Sequence, residues 1–411
     1  MKCGLLGRKL GHSYSPQIHE KLADYEYTLI EKEPDELASF FKSSDFTGLN
    51  VTIPYKKDVI PFCAELSPCA KAMGAVNTIV RRSDGSLIGH NTDYYGFETM
   101  LLHSTLSADG KKVLVLGSGG ASNTAVQVLK DHGAKVVVIS RNGENNYQNL
   151  HLHQDAAIIV NATPVGMYPE PGVSPVDVSL FPKLEGVLDM IYNPARTQLL
   201  LDAKQRGLIA ENGLRMLVAQ AKESAEWFTS SPIDDSSIEK IHTHLQRQME
   251  NIILIGMPGC GKSTIGKALS SLTGKPFLDT DACIQELAGK TIPEIFSQDG
   301  EEVFRAWETK ALQKLGMLSG VVIATGGGCV TRQRNYRLLH QNGTIFWLQR
   351  DISQLPTEGR PLSQANALTE MYRQRKALYE SFADHTIANN GSILAAAYQI
   401  CKEAGYEDFG D

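Results

Sequence analysis

Two glycine-rich turns of different build stand far apart in this chain. GMPGCGKST occupies residues 256–264 and follows the apolar run NIILI. It fits G-x-x-x-x-G-K-[ST], in which backbone N–H groups wrap a β-phosphate, the lysine reaches the β/γ oxygens and the hydroxyl ligates Mg²⁺. Gly259, Cys260, Gly261, Lys262, Ser263 and Thr264 are thus the expected ATP-binding residues, with Ser263 also on the metal. The other turn, GSGGAS at 117–122, follows VLVL and opens a helical stretch. Glycines there let a pyrophosphate approach the backbone and rest on a helix N-terminus. Gly117, Gly119, Gly120 and Ala121 are the expected dinucleotide contacts, against the plainer reading of a tight strand-to-helix turn. At the end of the next strand an acidic residue would bond a ribose 2′-hydroxyl. Ser140, Arg141 and Asn142 stand there instead. A guanidinium suits a 2′-phosphate, which favours NADP.

Further chemistry-bearing residues precede the first turn. HSYSP places Ser13 and Ser15 before a proline and a helix, where two hydroxyls could hold a carboxylate. NVTIPYKK supplies Asn50, Thr52 and Lys56; GAVNT supplies Asn77; GHNTDYYGF supplies Asp93. Hydride transfer to a ketone leaves an alkoxide that needs a proton, and an ammonium beside the carbonyl can polarise it and donate. A nearby carboxylate would hold and aim that ammonium. Singly, each of these residues also reads as a turn, cap or surface residue. Behind the second turn, DTD at 279–281 offers two carboxylates, one of which could reach the Mg²⁺ shell while the other accepts a hydrogen bond from an acceptor hydroxyl. GEEVFRAWE carries Arg305 and Glu308, TGGG carries Gly326 to Gly328, GRPL carries Arg360 and RKALY carries Arg375. Arginines beside a P-loop fit an anionic acceptor and developing phosphoryl charge. The P-loop alone leaves ATPase, GTPase and kinase open, although no N-K-x-D guanine motif is present. His12 and His90 have no metal or triad spacing and read as packing residues; His151 and His153 read as a solvated loop.

The elements that must position these groups follow α/β order. CGLLG, YEYTLIE and TGLNVTIP read as strands separated by helices at PQIHEKLADY and PDELASFFKS. VLVLG, a helix with Ala121, Ala125, Val128 and Leu129 on one face, and VVVIS form a βαβ unit. Strands at AAIIVNAT and GVLDMIY and helices at RTQLLLDAKQRG and NGLRMLVAQAKESAEWF come next. A further helix begins at the capping-box pattern Ser236 to Glu239 and ends near Met249. From NIILIG the order resumes with strands at KPFLDTD, GVVIATGGG and GTIFWLQ, and two helices close the chain.

With 411 residues, two or three domains are expected. We place them at 1–100, a substrate-binding domain onto which the helices near 214–249 fold back; 101–249, a Rossmann NADP domain; and 250–411, a P-loop domain. The hydrophobic share of 42%, charged share of 21% and net charge of −6 argue against nucleic acid or membranes as main partners. Seven scattered cysteines without a C-x-x-C pair read as reduced thiols of a cytoplasmic protein. No signal peptide and no run of about 18 apolar residues is visible. A monomer or a homodimer is expected.

The ordered set Ser-x-Ser-Pro, Asn-Val-Thr-x-Pro-x-Lys, Gly-Ala-Val-Asn-Thr and Asn-Thr-Asp ahead of GSGGAS, continued by NATPVGM, DMIYNP and NGLRMLVAQA, resembles shikimate dehydrogenase over residues 1–249. The resemblance implies that Ser13 and Ser15 bind the substrate carboxylate. It also implies that Asn50, Thr52, Asn77, Tyr192 and Gln220 bind substrate, and that Lys56 and Asp93 are the catalytic pair. Gly117, Gly119, Gly120, Ala121, Ser140, Arg141, Met190 and Gly213 would hold NADP(H). Residues 250–411 resemble shikimate kinase. There the resemblance gives Asp281, Arg305, Gly327 and Arg375 to shikimate, Asp281 also as base, and Asp279 with Ser263 to the metal. Arg360 would sit in a lid over the phosphates. That lid is short, with Thr357 and Glu358 where another arginine is expected and Arg350 as its substitute. The implied function is NADPH-dependent reduction of 3-dehydroshikimate to shikimate followed by ATP-dependent phosphorylation to shikimate 3-phosphate. The alternative is a quinate/shikimate dehydrogenase carrying a regulatory ATP-binding domain.

Overall fold

The structure is a computed structural model that describes residues 1–11, 13–43, 45–355 and 365–406. His12, Thr357, Glu358 and Arg360 lie outside the described residues. The described strands are β1 (Lys2–Gly7), β2 (Glu26–Glu31), β3 (Gly48–Val51), β4 (Glu65–Leu66), β5 (Thr78–Arg81), β6 (Leu87–His90), β7 (Lys112–Leu116), β8 (Lys135–Ile139), β9 (Ile158–Asn161), β10 (Gly186–Asp189), β11 (Ile209–Asn212), β12 (Asn251–Ile255), β13 (Phe277–Asp279), β14 (Val322–Ala324), β15 (Gly343–Gln349) and β16 (His385–Ala388).

They form three sheets in the orders β2-β1-β3-β5-β6-β4, β11-β10-β9-β7-β8 and β13-β14-β12-β15-β16. The first is mixed, because β5 runs antiparallel to both β3 and β6. The other two are wholly parallel. Their central strands are continuous apolar runs, VLVL and IILI, as strands covered on both faces must be. The fold is therefore mixed α/β, with the two parallel sheets placing their loops at the strand C-terminal ends, where α/β sheets bind ligands.

By internal contacts the chain forms two compact units: residues 1–165, 174–192 and 202–244, and residues 166–173, 193–201 and 245–411. The first unit holds the first two sheets. Helix Leu214–Thr229 packs against helix Asp93–His103 and returns to the first sheet, where a Cβ on Gly48 would fall 2.2 Å from the Phe228 ring. In the second unit, Arg196 donates to the carbonyls of His340 at 2.8 Å and Gly343 at 3.1 Å and to Glu250 at 2.8 Å. Those bonds explain why 193–201 clusters with the later residues.

Several local expectations need correction. The Ser236–Glu239 pattern is not a capping box. Asp234 caps that helix by accepting the Ser236 N–H at 2.7 Å, and Glu239 instead pairs with Arg215 at 2.8 Å. Ala121 is exposed, while Ala125, Val128 and Leu129 are buried. Between β8 and β9 the crossover shrinks to a 3-10 turn at Leu150–His153. His153 is buried there and its Nε2 meets Asn145 Oδ1 at 3.0 Å, so only His151 is solvated. The closing helices, Ala365–Phe382 and Ile393–Glu403, have β16 between them. All seven cysteines are free, five of them buried, and burial pushes the Cys329 thiol up to about 12. No helix among the described residues is long and apolar enough to cross a membrane.

Candidate active sites

The antiparallel placement of β5 brings the ends of three strands together. Asn50 pairs with Thr78, and Thr78 with His90. Lys56 lies in the turn after β3, Asn77 just before β5, and Asp93 opens the helix after β6. Lys56 Nζ donates to Asp93 Oδ2 at 2.6 Å. The Asn77 amide donates to Asp93 Oδ1 and to Thr92 Oγ1, both at 3.0 Å, and its carbonyl accepts the Thr92 N–H at 2.8 Å. Asp93 is thus gripped at both oxygens. The Lys56 and Asp93 side chains are 30% and 16% exposed, so the pair is open to a small molecule yet largely shielded.

Ser13 Oγ accepts the Ser15 N–H at 3.2 Å, at the start of helix Ser15–Leu22. Between them in sequence, Tyr14 meets the Tyr192 ring edge-on with centroids 6.2 Å apart. Burial raises the Tyr192 phenol, which keeps it a neutral donor. Gln220 projects from helix Leu214–Thr229, and its Nε2 donates to Leu217 O at 2.9 Å. Thr52 is half-buried beside Gly7.

Asn50 requires a correction. It is 5% exposed, takes a bond from the Tyr27 hydroxyl at 2.8 Å, and donates to Ser224 Oγ at 2.8 Å and Thr78 Oγ1 at 3.2 Å. Its amide is spent on the protein, so it braces the site instead of facing a substrate. Ser224 was missed. It joins Asn50, Thr78 and Thr92, one helical turn past Gln220, a spacing that the sequence does show. His90 is a packing residue. Its ring stacks on Trp227 at 3.6 Å, and burial, with Arg82 nearby, lowers it to about 4.

The GSGGAS turn leaves β7 at Gly117, whose φ of +107° favours glycine. Ser122 Oγ donates to Gly117 O at 2.7 Å and closes the turn. A Cβ on Gly119 or Gly120 would meet no protein atom within 4 Å. The protein's own packing does not demand those glycines. Ser140 and the exposed Arg141 stand at the end of β8. A Cβ on Gly213 would fall 2.1 Å from Met190 O, so these two cofactor candidates share one crossing of the main chain.

In the second unit, β12, β13 and β14 end around a cleft of about 650 Å³. The P-loop between β12 and helix Lys262–Thr273 uses φ values of +143° at Gly256, +82° at Gly259 and +97° at Gly261. Lys262 Nζ donates to the carbonyls of Gly256 at 2.8 Å and Met257 at 2.9 Å. Ser263 Oγ donates to Asp279 Oδ2 at 2.8 Å, bringing together the two expected metal ligands. Asp279 Oδ1 also accepts the Asp281 N–H at 2.9 Å and caps the next helix.

Across the cleft Arg305 donates to Glu308 Oε2 at 2.9 Å and to Glu301 Oε1 at 3.0 Å. Glu308 is fully buried, its Oε1 has no partner among the described residues, and burial raises its carboxyl against the pull of Arg305. Arg375 Nη1 and the Tyr379 hydroxyl donate to Gly327 O at 3.1 and 2.5 Å. Thr264 and Asp281 also line the cleft, with Phe296, Phe304 and Met371 as apolar wall. Those three were missed, because apolar lining looks like core in a sequence. Cys260 is fully buried and, unlike Gly259 and Gly261, does not line the cleft. Arg350 follows β15, half-buried, with no partner for its Nε among the described residues.

Comparison with known proteins finds two families in the chain. The family description "Shikimate dehydrogenase substrate binding domain" fits residues 5–79, and "Shikimate kinase" fits residues 258–404. A shikimate dehydrogenase (NADP(+)) of Clostridium perfringens is 37% identical over 266 residues, covering 59% of this chain and 97% of that protein. The chain belongs to the shikimate dehydrogenase family. Behind its shikimate dehydrogenase part it carries a shikimate kinase domain. Among solved structures, a chorismate mutase/shikimate 5-dehydrogenase fusion protein from Clostridium acetobutylicum superposes with a TM-score of 0.56 at 38% identity, covering 59% of this chain and 96% of that one. Shikimate 5-dehydrogenase from Thermus thermophilus, in complex with NADP(H) and shikimate, gives 0.53 at 30%, covering 59% and 99%.

Proposed function

We propose that this bifunctional shikimate-pathway enzyme reduces 3-dehydroshikimate to shikimate with NADPH and then phosphorylates shikimate to shikimate 3-phosphate with ATP. The observation that carries the reading is a pair of unlike sites in one chain. One is a part-buried Lys56–Asp93 pair at 2.6 Å in the unit that bears the GSGGAS turn. The other is a P-loop facing Arg305, Arg375 and Asp281 across one cleft.

In the first site NADPH, when bound, supplies the hydride. Lys56 polarises the ketone and delivers the proton that the nascent alkoxide takes, while Asp93, itself held by Asn77, keeps its Nζ in place. Ser13 and Ser15 receive the substrate carboxylate, and Thr52, Asn77, Tyr192 and Gln220 bond its remaining polar groups. Gly117, Gly119, Gly120, Ala121, Met190 and Gly213 form the backbone cradle, with Ser140 and Arg141 on the 2′-phosphate.

In the second site Mg²⁺, when bound, offsets charge on the phosphates, and Ser263 and Asp279 are the residues that would hold it. Gly259 to Thr264 surround the phosphates. Arg305 and Arg375 draw in the acceptor carboxylate beside Gly327. Asp281 orients the attacking hydroxyl and accepts its proton. Glu308 holds Arg305 through its Oε2 at 2.9 Å.

The test is a time course with 3-dehydroshikimate, NADPH, ATP and Mg²⁺, products resolved by mass. Shikimate rising and then falling as shikimate 3-phosphate accumulates is the expected result. A reaction that stops at shikimate overturns the kinase assignment, and one that never starts overturns the dehydrogenase assignment, the kinase then being tested with shikimate supplied directly. Quinate in place of shikimate, in the oxidative direction with NADP⁺, is expected to react more slowly.

A further inference from the structure

The edge strand β16 pairs with β15 and ends at Ala388. The next residue, Asn389, is 4% exposed. Its backbone N–H donates to Gln349 O at 2.8 Å, which continues the ladder one step past the strand. Its side chain reaches the P-loop, where Nδ2 donates to Cys260 O at 2.6 Å. Cys260 is fully buried, so this carbonyl has no access to water. A Cβ on Gly261 would fall 3.1 Å from the same Nδ2.

A peptide unit is planar and trans, so its C=O and N–H point in opposite directions. The Cys260 carbonyl and the Gly261 N–H belong to one unit. Gly261 lines the phosphate cleft, whereas Cys260 and Asn389 are buried and do not line it. Holding the carbonyl backward therefore holds the N–H forward. Glycine makes such an anchor necessary, since at Gly261, with φ +97°, the backbone is free to take several conformations.

We propose that Asn389 is a positioning residue for the nucleotide, aiming the Gly261 N–H at the phosphates through the Cys260 carbonyl. The inference rests on the P-loop reading given under Proposed function. Donors fixed in advance need no reorganisation when charge arrives, which is where their value lies. An asparagine suits the position and an ionised aspartate does not. Aspartate is the same size but offers the carbonyl no proton, and it adds negative charge behind a polyphosphate site.

The test is calorimetric binding of MgADP to the full chain and to N389D and N389A, with the KM for shikimate measured on each. Both variants are expected to bind MgADP about tenfold more weakly, with the shikimate KM within twofold of the parent. MgADP affinity within twofold of the parent in either variant overturns the proposal. So does an equal loss of MgADP and shikimate affinity, which would mark a loosened fold. Failure of the parent itself to bind MgADP would overturn the P-loop reading along with it. Should N389D not fold, Asn389→Ser, whose hydroxyl falls short of Cys260 O, is judged by the same thresholds.

Discussion

At the scale of single residues, the chemistry concentrates in a few fixed polar groups. Lys56 is useful because Asp93 holds it, and Asp93 is fixed because Asn77 takes its second oxygen. Lys56→Met and Asp93→Asn are each expected to lower the dehydrogenase rate by about 10²–10⁴. Parallel assays of both activities should show the kinase rate unchanged. Glu223 offers a second test. It sits one turn past Gln220, with a buried oxygen that lacks a partner among the described residues. Burial, with Glu226 adding to it, pushes its carboxyl up to about 7 from an ordinary 4.5. The folded chain thus takes up this proton more readily than the unfolded one. Its contribution to stability is complete below about pH 4.5 and is lost as pH rises through about 7. Glu223→Gln should raise the melting temperature of the first unit by about 2–4 °C at pH 8 and leave it unchanged near pH 4.5. Equal shifts at both pH values would show that the charge is not the cause.

At the scale of elements, glycine-rich turns and strand ends were the legible part. GSGGAS and GMPGCGKST were readable because their glycines serve backbone geometry that only a few patterns satisfy, and both stand between a strand and a helix. Lys56, Asp93, Asp279 and Arg305 were readable from motifs. Asn50 was misassigned for a physical reason: sequence does not show whether an amide at a strand end points into a cleft or into a sheet, and here Tyr27 and Ser224 claim it. The edge strand β16 was hidden because HTIA is short and only half apolar. Asp234 was overlooked as a cap because a Ser-x-x-Glu pattern lay next to it. One element-level prediction concerns the close crossing at Gly213. Gly213→Ala would drive a Cβ to 2.1 Å from Met190 O, a backbone atom that cannot rotate away. Overpacking of this kind costs about 1–3 kcal/mol. NADPH affinity, followed by fluorescence titration, should fall at least tenfold, while kinase turnover stays at the parent level.

At the scale of the whole molecule, two catalytic sites in one chain have separable chemistry. Lys262→Ala is expected to lower the kinase rate by about a thousandfold and to spare the dehydrogenase. In the coupled time course, shikimate should then accumulate to the full amount of 3-dehydroshikimate supplied; a matching loss of reduction rate would refute separability. The contact from Asn389 to Cys260 spans 129 positions of chain. Contacts of such long range form late, after the loop between them has closed. A polypeptide emerging from the ribosome exposes its phosphate-binding loop well before the strand that steadies it. A prematurely terminated product ending before residue 385 would carry every residue of GMPGCGKST but lack the side chain that meets the Cys260 carbonyl.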